Sequence, residues 1–213
     1  MNARVFAALE LPPDVRQALS GVIAGFRESL PQGCVRWVRA ERVHLTLKFY
    51  GEVRPDRLAD IQAFLTRAAD KAGPISLAVE GLGVFPNPIR PQVIWTGVTG
   101  DLSALRALQK AVEDGATALG FESEARPYSP HLTLGRVNER LRPAERQTLA
   151  QFLAQTRVAR LGEFRAETLN LMRSELRPGG SVYTRLFAAP LGSRYEHHAA
   201  PALANPADGP EAA

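Results

Sequence analysis

The tetrapeptide His-Leu-Thr-Leu occurs twice, at 44–47 and at 131–134, and its surroundings repeat with it. Arg54-Pro55 follows the first copy and Arg142-Pro143 the second, and Phe64-Leu65 and Phe152-Leu153 each begin nine residues beyond those prolines. Upstream of each copy lie a strand-like apolar run and a segment with helical spacing, residues 4–30 before the first and 92–119 before the second. Both halves read strand, helix, HLTL strand, helix. A duplication on this scale predicts two similar lobes related by an approximate two-fold axis.

The apolar pattern predicts the individual elements. Residues 4–11 read as a buried strand ended by Pro12-Pro13, 14–30 as an amphipathic helix, 35–38 as a short strand and 43–49 as an alternating strand. Pro55 opens a helix to about residue 71, closed by Gly73-Pro74. Residues 75–79 read as a strand, 81–88 as a Gly- and Pro-rich loop, 92–98 as a strand and 101–119 as a helix ended by Gly120. Residues 131–137 form a strand and 143–155 a helix; 164–176 and 182–188 read as two strands of a hairpin across Arg-Pro-Gly-Gly. The expected fold class is α+β and bilobal, with two pseudo-symmetric lobes, each an antiparallel sheet with flanking helices, around a central cleft. It spans residues 1–191; the apolar period is lost beyond, and 192–213 read as a disordered tail rich in Ala and Pro.

Composition removes several classes. Of 213 residues one is cysteine, Cys34, which excludes a disulfide framework, a cysteine zinc site and an iron–sulfur cluster and leaves a bystander thiol. No apolar run approaches the roughly 18 residues of a membrane helix, and the N-terminus lacks a secretory apolar core. The setting expected is the cytoplasm, with no membrane and no obligate protein partner. The net charge of +4 comes from 23 Arg and three Lys against 22 acidic residues. Guanidinium groups suit phosphate, but the codon usage of a GC-rich genome is the better account of such a bias, and the charge alone does not point to an anionic partner.

The chemistry sits in the repeated tetrapeptides. Alternation along a strand puts His44 and Thr46 on one face and His131 and Thr133 on the other lobe's equivalent face, with the leucines behind. Two facing imidazoles, one neutral and one protonated near neutral pH, can take a proton from a nucleophile and give one to a leaving oxygen. Threonine hydroxyls can donate to negative oxygens. That suits phosphodiester chemistry without a metal or cofactor; neither tetrapeptide carries the carboxylates of a two-metal site. His197-His198, in the tail, is too sparse a ligand set for a metal. Strict alternation places Lys48 on the face of His44 as a rim lysine. It places Arg136 on the far face, unless Gly135 allows a bulge that turns it toward phosphate. Tyr128 is a candidate for stacking on a base. Phe6, Phe49, Tyr50 and Trp95 read as core, with one of them available as a base platform.

The segments RVFAALELP, RWVRAERVHLTLKFYGEV, GVFPNPIRPQVIWTGV and PYSPHLTLGRV, in this order over roughly residues 3–188, resemble the 2H phosphoesterases, in particular the LigT-like RNA 2′,3′-cyclic phosphodiesterases. The resemblance implies a bilobal fold with two antiparallel sheets flanking a cleft. It implies metal-independent opening of an RNA 2′,3′-cyclic phosphate to a 2′-phosphate, and in some members the reverse 2′,5′ joining of RNA ends. Carried over by position, His44 is the proton donor and His131 the proton acceptor, with Thr46 and Thr133 on the phosphate oxygens. The residues alone leave the two histidines interchangeable. Other substrates open to such a site are 2′,5′-linked oligoadenylates and small cyclic nucleotides; a non-catalytic RNA-end binding module is the reading from another class.

Overall fold

The computed structural model describes residues 2–177 and 180–192. Residues 193–213, with most of the expected tail and His197-His198, lie outside the described residues. The described residues form nine strands and four α-helices: β1 (Ala3–Glu10), α1 (Pro13–Ser29), β2 (Val35–Trp37), β3 (His44–Val53), α2 (Leu58–Lys71), β4 (Ile75–Phe85), β5 (Val93–Gly100), α3 (Leu102–Ala118), β6 (His131–Val137), α4 (Pro143–Gln155), β7 (Gly162–Ala166), β8 (Thr168–Arg177) and β9 (Gly180–Pro190). They build two antiparallel sheets, β3-β1-β8-β9 and β2-β6-β5-β4-β7, confirming the α+β class.

Helix boundaries follow their capping chemistry. The Asp101 carboxylate accepts from the Ala104 backbone at 3.0 Å and starts α3. In α4, Pro143 occupies the first turn and Glu145 accepts from the Arg142 backbone at 2.8 Å. The helix expected from Pro55 begins with a 3-10 turn, Pro55–Arg57, before α2 proper.

The duplication survives, but the halves do not fold as separate lobes. β1 pairs with β3, and β5 with β6, each pair joined through a helix. After its second helix each half then crosses over: β4 pairs with β5 in the second sheet, and β8 pairs with β1 in the first. Each sheet thus has the order HLTL strand, opening strand, strand from the other half. One apolar cluster accordingly runs through both sheets, from Val5, Leu9, Leu45 and Leu47 to Leu77, Val79, Leu132 and Leu134. This reciprocal exchange removes independent cores and ties the two HLTL strands into one frame.

Two sequence expectations need correction. The strand expected at 164–176 is two strands in different sheets, β7 beside β4 and β8 beside β1: Phe164 and Ala166 enter the common core from one sheet, and Leu169 and Leu171 enter it from the other. Alternation reports burial and cannot say which sheet receives it. The loop expected from residue 81 is also strand as far as Phe85. The Gly81 φ of 80° and a bulge between Glu80 and Gly83 let β4 bend and resume its pairing with β5. The hairpin is present, with Arg177 opposite Gly180. Gly192 is held by its N–H on the Ala69 carbonyl at 3.0 Å.

Candidate active site

Both HLTL strands carry a β-bulge immediately after the threonine. Thr46 lies opposite Ala8 while Lys48 lies opposite Ala7, so Leu47 is the extra residue. Thr133 lies opposite Trp95 while Gly135 lies opposite Ile94, so Leu134 is the extra residue. A bulge reverses the alternation beyond it. Leu47 and Lys48 are therefore both buried, as are Leu134 and Gly135. Phe49 and Arg136, the sixth residues counted from each histidine, then return to the face that carries the histidine and threonine.

Lys48 is consequently not a rim lysine. It is 5% exposed on the core side, where Nζ donates to Glu113 Oε1 and to the Glu122 carbonyl, each at 2.6 Å. Glu113 Oε1 also accepts the Glu124 N–H at 2.9 Å. Tyr128 donates its hydroxyl to the Thr46 carbonyl at 3.2 Å, its ring packs against the core, and burial pushes its hydroxyl pKa up. These contacts fasten the segment leading into the second HLTL strand onto the first. In the second copy glycine is required at the equivalent of Lys48: a Cβ on Gly135 would lie 2.5 Å from Val35 Cγ1 and 2.9 Å from Trp37 Cε3.

The two histidines are held alike. His44 Nδ1 is 2.9 Å from the Arg42 carbonyl and His131 Nδ1 is 2.8 Å from the Ser129 carbonyl. A carbonyl only accepts, so each Nδ1 carries the hydrogen. Nε2 is the nitrogen left in both rings for a further hydrogen bond. Aromatic rings fix the imidazole planes. Phe6 stacks on His44 at 4.6 Å and Tyr183 meets it edge-on at 4.9 Å; Phe85 meets His131 edge-on at 4.9 Å. Burial lowers the His44 pKa, and the nearby His131 lowers it further, while the Arg42 carbonyl and Glu10, its cross-strand partner, oppose the shift. The strands that carry the two histidines, β3 and β6, contact one another.

Around this pair the site is uneven. The first sheet contributes Phe6, Tyr183 and Phe49, the last 60% exposed. The second contributes Arg136, exposed and opposite Arg36 in the β2–β6 register. Alternation alone makes Phe49 a core candidate, and the bulge turns it out instead. Phe6 and Tyr50 are buried, and Trp95 is half-buried with its ring over Gly83, where a Cβ would lie 2.2 Å from it. Sequence reasoning missed Glu10, Phe85 and Tyr183, which reach the histidines only through sheet pairing and carry no local signal. Cys34 is buried, which pushes its thiol pKa up. Among the described residues no helix is long and apolar enough to cross a membrane.

The same arrangement of elements is found elsewhere. A family model for LigT-like phosphoesterases matches residues 9–95 and 100–183. An RNA 2′,3′-cyclic phosphodiesterase of Methanothermobacter thermautotrophicus is 33% identical over 184 residues, which is 86% of this chain and 96% of that protein. A Thermus thermophilus protein of the same name is 34% identical over 190 residues, 86% of this chain and 87% of its own length. Among solved structures, TT0787 of Thermus thermophilus has a TM-score of 0.72 at 30% identity, covering 89% of this chain and 98% of that one. Escherichia coli LigT complexed with 3′-AMP shares the fold at a TM-score of 0.71 and 24% identity, over 90% and 99% of the two chains. With its paired HLTL strands in that fold and a family match over most of its length, this chain belongs to the LigT-like phosphoesterase family.

Proposed function

We propose that this protein hydrolyses RNA or oligonucleotide 2′,3′-cyclic phosphate ends to 2′-phosphate ends by two-histidine acid–base catalysis that needs no metal. The observation that carries the reading is the matched pair of imidazoles, each with Nδ1–H on a carbonyl two residues upstream and each with Nε2 left to move a proton. Relatives matching over most of the chain are RNA 2′,3′-cyclic phosphodiesterases. In the reaction, water attacks phosphorus in line with the 3′ oxygen. His131 Nε2 takes the water proton, the P–O3′ bond breaks, and His44 Nε2–H protonates O3′. Thr46 and Thr133 donate to the non-bridging oxygens, whose charge grows as the fifth oxygen arrives.

The lowered pKa of His44 fits a donor that is charged by its substrate. In the free protein, burial favours the neutral ring. An anionic cyclic phosphate beside it favours the imidazolium, so the donor forms as substrate binds. Phe49 offers the terminal base a stacking face, and Arg136 binds the phosphate side of the substrate. Tyr128, its hydroxyl engaged by Thr46, serves by holding the two strands together.

The test is incubation of the purified protein, in EDTA, with a short RNA ending in a 2′,3′-cyclic phosphate, followed by phosphorus NMR. A 2′-phosphate product is expected. A 3′-phosphate would reverse the leaving oxygen and overturn the assignment of His44. Binding without turnover would favour an RNA-end binding module, and turnover confined to 2′,5′-linked oligoadenylates or small cyclic nucleotides would change the substrate class. Adding an RNA with a free 5′-hydroxyl end to the same mixture tests for 2′,5′ joining.

A further inference from the structure

The face of the second sheet that carries His131 continues past Thr133 to a row of four paired residues, Phe85, Val93, Arg136 and Arg36. Phe85 touches the His131 ring, which fixes this row on the side of the imidazoles. Arg36 and Arg136 are directly opposed across β2 and β6, and both are exposed. Among the described residues neither guanidinium has a carboxylate partner. Other arginines of the molecule differ: Arg142, Arg160 and Arg185 all reach a glutamate. Like charges directly opposite one another on a sheet destabilise it. An anion lying between them reverses the sign of that interaction, and two guanidinium forks supply the donors for phosphate oxygens.

Spacing decides which phosphate. Thr133 lies opposite Trp95 and Arg136 opposite Val93, two residues apart on β5. That is roughly 7 Å along the strand at about 3.4 Å per residue, the step between neighbouring phosphates of an extended single strand. Arg36 is one strand further out, toward the sheet edge. We infer that Arg36 and Arg136 form a second phosphate subsite, which binds the internucleotide phosphate one nucleotide upstream of the cyclic end. The inference rests on the proposed RNA-end reading and deepens it: the substrate is an oligonucleotide end, held by two consecutive phosphates. Aromatic groups on the first sheet face the terminal nucleoside, and the arginine row sets the direction in which the strand leaves the site.

The experiment compares two substrates, a mononucleoside 2′,3′-cyclic phosphate and a dinucleotide with the same cyclic end. For the unaltered protein, kcat/KM is expected to be about 10-fold higher on the dinucleotide, and Arg36→Ala to abolish most of that advantage, as expected for one charge-assisted hydrogen-bonded pair. A dinucleotide whose internal linkage is a neutral methylphosphonate should lose the same factor with the unaltered protein and little more with R36A. The salt dependence of oligonucleotide binding should also become shallower in R36A, by about 0.7 in the log–log slope for each phosphate no longer neutralised. Equal kcat/KM on the two substrates, an unchanged ratio in R36A, or additive losses from R36A and the neutral linkage would each overturn the subsite. Absence of turnover on both substrates by the unaltered protein would instead overturn the proposed reaction, so the two failures are distinct.

Discussion

The two HLTL strands are the same peptide in two environments. Both are bulged after threonine, both place a Leu pair in the common core, and both tie the histidine Nδ1 to a carbonyl two residues upstream. They part at the next two positions. The first strand has Lys48 turned inward onto Glu113 and Phe49 turned out; the second has Gly135 pressed against Val35 and Trp37, and Arg136 turned out. The imidazole and hydroxyl groups are thus duplicated almost without change, while the flanks are specialised. One flank is aromatic, the other cationic. A duplicated fold can keep symmetric chemistry at its axis and still receive an asymmetric ligand, because the bulge delivers whatever residue stands sixth.

The largest effects should come from breaking the shared part. His44→Ala and His131→Ala are each expected to lower kcat by between about 10²- and 10⁴-fold, the range for general acid–base catalysis. Most activity retained in either variant, measured by product NMR on cyclic-end RNA, would show that the two copies are not chemically equivalent partners.

Next comes the inward residue of the first copy. Lys48→Met leaves the part-buried Glu113 without its cation, and loss of one member of such a pair costs up to about 3–5 kcal/mol. The melting temperature should fall by roughly 10 °C, at about 2–4 °C per kcal/mol for a chain of this size. Replacing both partners, Lys48→Met with Glu113→Leu, should recover much of that loss. A single variant with an unchanged melting curve would mean that the pair is not a structural tie between the copies.

The outward residue of the first copy should matter less. Stacking is worth about 1–3 kcal/mol per base, so Phe49→Ala is expected to raise KM about 10-fold with little change in kcat. An effect on kcat alone would remove the base-platform role.

The smallest effect is a displacement on the pH axis. With His44 as the donor, activity is present while its ring is protonated and is lost as pH rises. Its pKa is lowered in the free protein, so the alkaline limb of kcat/KM should fall below the ordinary imidazole value of about 6.5. Bound phosphate favours the cation, so the corresponding limb of kcat should lie at higher pH. Coincident limbs would remove the substrate-charged donor.

Much of the site is legible in sequence because the repeat is local. Four residues, His44, Thr46, His131 and Thr133, follow from two identical tetrapeptides and the period of a strand. The helices and most strands follow from apolar spacing and from Pro, Gly and Asp at their ends. Alternation misplaces Lys48 and Phe49 for one reason: a bulge shifts it by one residue, and the residue inserted, Leu47, is as apolar as those around it. Gly135 is the one local hint, and it points correctly to the bulge that brings Arg136 to the site face.

The chain by itself therefore determined the duplicated plan, the paired histidines and threonines and the face they share, since these follow from a repeated motif and the period of a strand. Tertiary structure alone decided the rest. It sent β4 and β8 to the opposite sheets, set Glu10 across from His44 and Phe85 against His131, and opposed Arg36 to Arg136. Those partners lie far apart along the chain. Only the burial of one apolar core common to both sheets selects such pairings, and that is a property of the whole fold rather than of any stretch within it.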